Sequence, residues 1–136
     1  MTIGDWWYDF DGTLQVRVSE FDDPRHTMVL AMHELFEALA AWANKYTEEE
    51  VTKFDLWFEK ESGKVDFPKT LDEPGMHPEC PYNQEHQYAT AIEMILLTYF
   101  GANWWEYDEA IRKMSREQRI ETLQVDENGR NKSGQE

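Results

Sequence analysis

The sequence predicts a mainly α protein of the α+β kind, with a short N-terminal β-hairpin packed on a core of roughly four helices. Three features predict it. Aromatic and β-branched residues flank a single Asp-Gly turn signal near the N-terminus. Apolar residues at helical spacing, bounded by recognisable caps, then recur along most of the chain. After Leu14 there is none of the strand–helix alternation that a doubly wound sheet needs.

The hairpin is expected over Trp6 to Phe10 and Leu14 to Ser19, joined through Asp11-Gly12. Val16 and Val18 alternate with Gln15, Arg17 and Ser19, the period of a strand with one wet face. Asp23-Pro24 opens a first helix, an Asp N-cap ahead of a proline at the first helical position, and this helix should run to about Asn44. Thr47 with Glu50 three residues on has the capping-box spacing. Val51, Phe54, Trp57 and Phe58 follow at helical intervals until Ser62-Gly63. From there to Tyr82 the chain carries Gly, Pro and charge, and reads as a long irregular connection of the kind that is often functional. A third helix spans roughly Asn83 to Phe100, stopped by Gly101, and a fourth runs from about Asn103 to Leu123. Residues 1–123 thus make one domain, and residues 124–136, without apolar periodicity, are expected to be a disordered tail.

Length and composition agree with a single domain. The chain has 136 residues, 40% of them hydrophobic, and 6 Trp, 6 Tyr and 7 Phe supply ample core. Asp and Glu number 28 against 13 Lys and Arg, a formal charge of −15. Such a surface repels phosphate backbones and anionic lipid, so direct nucleic-acid or membrane binding is not expected, and cations or basic partners are favoured. The single cysteine, Cys80, excludes an internal disulfide. MTIGDWWYDFDG has no positively charged or apolar leader segment, and Ala89 to Phe100 is too short to span a bilayer. The expected location is the cytoplasm.

The candidate chemistry lies on the first and third helices. In His33-Glu34-Leu35-Phe36-Glu37, His33 and Glu37 are ~40° apart on the helical wheel, one turn up the same stripe. They sit at the margin of a wide apolar arc (Met28, Val29, Met32, Leu35, Phe36, Leu39, Ala40, Trp42), with Glu34 turned further toward solvent. On the third helix His86, Thr90 and Glu93 fall at i, i+4 and i+7. Glu93 interrupts a segment apolar on nearly every side, where an uncompensated carboxylate is costly. A proton, a cationic partner or a metal should compensate it. His33, Glu37, His86 and Glu93 would form a compact N/O cluster suited to zinc first, with Mn, Fe or Mg as the other divalent ions. The alternative is buried pairing, His33 with Glu93 or His86 with Glu37, without chemistry.

His-Glu-x-x-Glu resembles a variant of the zincin His-Glu-x-x-His signature. The resemblance implies His33 and Glu37 as ligands, Glu34 as general base and His86 as the best third ligand, with Glu37 standing where zincins have a second histidine. More broadly, the succession HELFEALAAW, VTKFDLWFEKE, DEPG, PYNQEHQYATAIE and GANWWEYDEA is similar to small proteins of unknown function encoded by phages and prophages. That similarity implies a host-cell cytoplasmic setting. Glu34-x-x-Glu37 with Glu93 also resembles the carboxylate pattern of all-α nucleoside triphosphate pyrophosphohydrolases, although Glu93 is not followed by the usual Asp.

Three further signals lie outside the first and third helices. Asp9-Phe10-Asp11-Gly12-Thr13-Leu14 matches the first motif of haloacid dehalogenase-like phosphatases but lacks the Rossmann-like context, and reads as a hairpin turn. His77-x-x-Cys80 has metal-ligand spacing but too few ligands for a structural zinc site; His77 would add a ligand only by folding over the cluster. Trp6, Trp7, Tyr8, Trp104 and Trp105 would wall a cleft or, more simply, fill the core. The sequence therefore predicts a divalent-metal-binding helical protein of zincin-like hydrolase character. Its alternatives are a non-catalytic acidic protein that engages a host factor, or a Mg-dependent pyrophosphohydrolase.

Overall fold

The computed structural model describes residues 3–117. Strands β1 (Gly4–Tyr8) and β2 (Leu14–Val18) form the antiparallel hairpin, with Trp6 opposite Val16 and Trp7 opposite Gln15. The reversal occupies residues 9–13, wider than Asp11-Gly12 alone: Asp9 N–H donates to Thr13 O and Gly12 N–H to Asp9 O, each at 2.9 Å. Gly12 takes φ 84°, a left-handed conformation that favours glycine. Phe10 is consequently lifted off the strand into solvent. The Asp9 carboxylate accepts from Trp7 Nε1 (3.2 Å) and Gln15 Nε2 (2.8 Å), and Asp11 accepts from Thr13 N (3.0 Å). Both acids of the phosphatase-like motif are thus used to build the turn.

Helix α1 (Pro24–Ala43) starts as its sequence dictates, the Asp23 side chain accepting from Arg25 N and Pro24 opening the first turn. Helix α2 (Glu48–Ser62) has both halves of the Thr47/Glu50 capping box. The connection after it is irregular except for one 3-10 turn, Pro74–Met76. Helix α3 (Asn83–Tyr99) ends where Gly101 adopts φ 68° and Ala102 N–H returns to Leu97 O at 2.9 Å. Asn103 Oδ1 then caps the helix over 104–117, here α4, by accepting from Trp105 N (2.8 Å) and Glu106 N (3.2 Å). The expected run of this helix to Leu123 and the tail from 124 lie outside the described residues.

α1 and α3 pack antiparallel and are clasped at both ends. Arg25 at the start of α1 donates to Phe100 O and Gly101 O beyond α3. Asn44 at the end of α1 donates to Glu85 Oε1 in the first turn of α3. At the first clasp, Val29, Leu97 and Tyr107 form the apolar core of α1, α3 and α4, joined by Leu96, Phe100, Trp104 and Ile111. The hairpin packs on α1.

One expectation is met only in part: Val29 of the predicted apolar arc is buried and Leu35, Phe36 and Ala40 are half-buried, but the other half of the arc faces out. Apart from Arg25, the ionisable residues of α1, His26, His33, Glu34 and Glu37, all face inward, whereas Met28, Met32, Leu39 and Trp42 of the predicted apolar arc are exposed. α3 likewise buries Glu85, His86 and, as its apolar surroundings predict, Glu93, while exposing Tyr88, Met94, Ile95 and Tyr99.

Candidate metal centre

His33 and Glu37 come from adjacent turns of α1, and His86 and Glu93 lie two turns apart on α3, so the antiparallel packing brings all four together. His33 Nε2 and His86 Nδ1 each lie 2.9 Å from the same atom, Glu37 Oε1. The two rings meet edge to face with centroids 5.2 Å apart. His33 Nδ1 abuts Glu93 Oε1, and His86 Nε2 lies 3.1 Å from Glu73 Oε2. Carboxylate and imidazole therefore alternate through five residues: Glu93, His33, Glu37, His86, Glu73. One ligand atom from each of His33, Glu37 and His86 falls within 4.8 Å of the others, a group able to hold a metal ion. Glu93 stands behind His33, on the ring nitrogen that faces away from Glu37.

The loop before α3 completes the arrangement. Glu73 and Gly75 belong to the 3-10 turn and its entry, where Met76 N–H donates to Glu73 O at 3.1 Å. Gly75 lies directly on the His86 ring, and its carbonyl accepts from Asn83 Nδ2 at 2.8 Å, tying the loop to the first turn of α3. Glu73 and Gly75 belong to the DEPG segment, and no helical period could assign them to the cluster.

The charges are strongly coupled. Burial works against the His33 imidazolium, but the contacts with Glu37 and Glu93 prevail and hold its pKa well above 6.5. Burial likewise opposes charge on His86, yet Glu37 and Glu73 raise it to about 9. Burial would raise Glu37, but hydrogen bonds from His33 and His86 bring it down to about 2. For Glu73 the contact with His86 also outweighs desolvation, and its pKa is lowered. Among the described residues no lysine or arginine pairs with Glu37, Glu73 or Glu93; imidazoles are their ion-pair partners.

Glu34 is not on the solvent side. It is buried beneath β1, its Oε1 so near Gly4 that a Cβ there would lie 2.6 Å away. Burial, then the charge of Glu37, pushes its pKa up to about 8. Tyr107 from α4, fully buried, has its hydroxyl pKa raised by burial and by the charge of Glu93.

The remaining candidates lie elsewhere. His77 does not fold over the cluster: it stacks on Phe67 (6.2 Å) and is ringed by Trp57 (5.2 Å), Phe54 (5.8 Å) and Phe58 (6.4 Å). Cys80 is buried, and desolvation pushes its thiol up to about 12, far from the thiolate that ligates metals. Trp104 packs against the core, whereas Trp105 is exposed. Comparison with protein-family models, curated proteins and solved structures finds no match to this chain.

Proposed function

We propose that this protein holds a divalent cation, zinc first, through His33 Nε2, His86 Nδ1 and Glu37, and that the site serves metal-dependent hydrolysis. The observation that supports this reading is the single carboxylate oxygen, Glu37 Oε1, on which two imidazole nitrogens converge at 2.9 Å. Two nitrogens and one carboxylate oxygen suit zinc and leave coordination positions for other ligands. Behind each imidazole stands a second carboxylate, Glu93 on His33 and Glu73 on His86. That is the arrangement which fixes the tautomer and raises the basicity of metal-ligating histidines. Three carboxylates, Glu37, Glu73 and Glu93, face at most two imidazolium charges, and a cation offsets the deficit.

A bound divalent cation supplies the Lewis acidity that brings a water molecule's pKa toward 7. We assign proton exchange to Glu34, which follows His33 in the chain and whose buried carboxyl lies near enough to Glu37 for that charge to help raise its pKa to about 8. A second reading has its own support. Each ring nitrogen of His33 and His86 already faces a carboxylate, so the same residues make a self-contained network, buried except at Glu73, when both rings are protonated.

Elemental analysis of protein purified without chelator, followed by zinc titration calorimetry, separates the two. The metal reading expects stoichiometric uptake that His33→Ala and Glu37→Gln abolish. Folded protein that takes up no cation under any condition leaves only the network. Glu34→Gln should retain the metal and lose hydrolysis of a generic activated ester.

A further inference from the structure

We propose that the chain pairs with a second copy of itself through antiparallel α1 helices, Trp42 of each copy seating in the hollow beside Met28 of the other. The inference stands apart from the metal reading and holds whether or not the cluster binds a cation.

The outward residues of α1 are Met28, Met32, Leu35, Leu39 and Trp42, spaced 4, 3, 4 and 3. That is the a/d spacing of a helix seam, and it calls for another helix as partner. Between residues 27 and 43 every exposed position is uncharged: Met28, Met32, Leu39, Trp42 and Ala43. In a chain of formal charge −15 this face lets two copies approach without bringing carboxylates together. Ala31 and Ala43 flank the seam and permit close approach.

The ends of the seam are complementary. Trp42 projects at one end, 73% exposed. At the other, Glu20, Phe21, Asp22, Met28 and Ala31 line a hollow. About 21 Å of helix separates residues 28 and 42. A two-fold axis at Leu35 brings Met32 against Leu39 and puts each Trp42 on the partner copy's hollow, where an indole meets a thioether and its N–H meets carboxylates. The same axis sets Lys45, just past the end of α1, near Glu20 and Asp22 of the second copy. Among the described residues none of these three charges forms an ion pair within the chain. With Trp42, Met28, Met32 and Leu39 the face offers about 500 Å² per copy, so a pair buries at most about 1,000 Å², the lower bound for a specific interface. The outer stripe of α3, Tyr88, Ile92, Ile95 and Tyr99, has similar spacing, but the basic residue at its end, Arg25, is already engaged by Asp23 and by the Phe100 and Gly101 carbonyls.

Sedimentation velocity of the full chain across the micromolar range tests the proposal, with circular dichroism to verify folding. The wild type should sediment as a dimer. Trp42→Ala and Leu39→Glu should weaken it at least tenfold, and Ile95→Glu should leave it intact. Lys45→Glu should weaken it, and Glu20→Lys with Asp22→Lys added to Lys45→Glu should restore it. A wild-type monomer throughout, a dimer that survives Leu39→Glu, or one broken by Ile95→Glu instead, overturns the proposal.

Discussion

A methyl group placed on Gly75 would meet Cγ, Nδ1 and Cβ of His86 all within 3.0 Å, closer than real Cβ atoms come. The glycine lets the loop lie on the imidazole and bring Glu73 to its Nε2. Since the clash involves the ring and Cβ, not the end of a flexible chain, Gly75→Ala should displace either the loop or His86. Overpacking of this kind costs about 1–3 kcal/mol. Thermal denaturation should show the loss, and zinc affinity should fall at least tenfold with it. Unchanged stability and unchanged affinity would refute the close packing.

Glu93 reaches His33 through Nδ1, on the side away from Glu37. Its effect on a cation is therefore exerted through the orientation and basicity of His33. Glu93→Gln should weaken zinc binding about 10–100-fold, the range for loss of a carboxylate behind a ligating histidine. His33→Ala should abolish binding. Equal losses in the two variants, measured by competition with a chromogenic chelator, would place Glu93 among the ligands instead.

Features decided by neighbours in sequence were legible. The Asp23-Pro24 start, the Thr47/Glu50 box and the Gly101 stop depend on hydrogen bonds within a turn or two, and each appears where its residues stand. His33 with Glu37 and His86 with Glu93 were also legible, because helical spacing fixes their common face. What faces inward was legible only in part: Glu93 is buried where its apolar surroundings put it, and Val29 lies in the core. The wheel put Glu34 toward solvent and the apolar arc toward the core on the assumption that burial follows hydrophobicity. In α1 the polar residues instead satisfy one another inside, and Met28, Met32, Leu39 and Trp42 remain outside. Glu73 and Gly75 join the site through a loop whose path depends on tertiary contacts with His86 and Asn83. No local period encodes such contacts.

α2 exposes most of its surface and buries only Phe58, so its stability rests heavily on its own ends. Thr47 Oγ1 accepts from Glu50 N at 3.1 Å, and the Glu50 carboxylate returns to Thr47 N at 2.8 Å. Thr47→Ala removes the acceptor and should cost about 1 kcal/mol, while Thr47→Ser should cost little. Hydrogen exchange should show the effect confined to the first turns of α2. A loss spread evenly over α1 and α3 would mean that α2 unfolds only with the whole domain.

Asp55 on α2 accepts a hydrogen bond from the Tyr82 hydroxyl at the start of α3. Burial raises its pKa from 3.8 to about 6, the Tyr82 bond opposing and the charge of Glu37 reinforcing the shift. Between those values the folded protein holds a proton that the unfolded chain has released, so this group's contribution is fully present below pH ~4 and is lost as pH rises through 6. Asp55→Asn keeps an acceptor for Tyr82 and removes the charge. Allowing for solvent screening at a half-buried site, it should stabilise the protein by about 1–2 kcal/mol at pH 7.5 and by almost nothing at pH 4. Urea denaturation of both proteins at the two pH values measures the difference. An Asn variant less stable than wild type at pH 7.5 would show that the Tyr82 bond to the ionised carboxylate outweighs its desolvation.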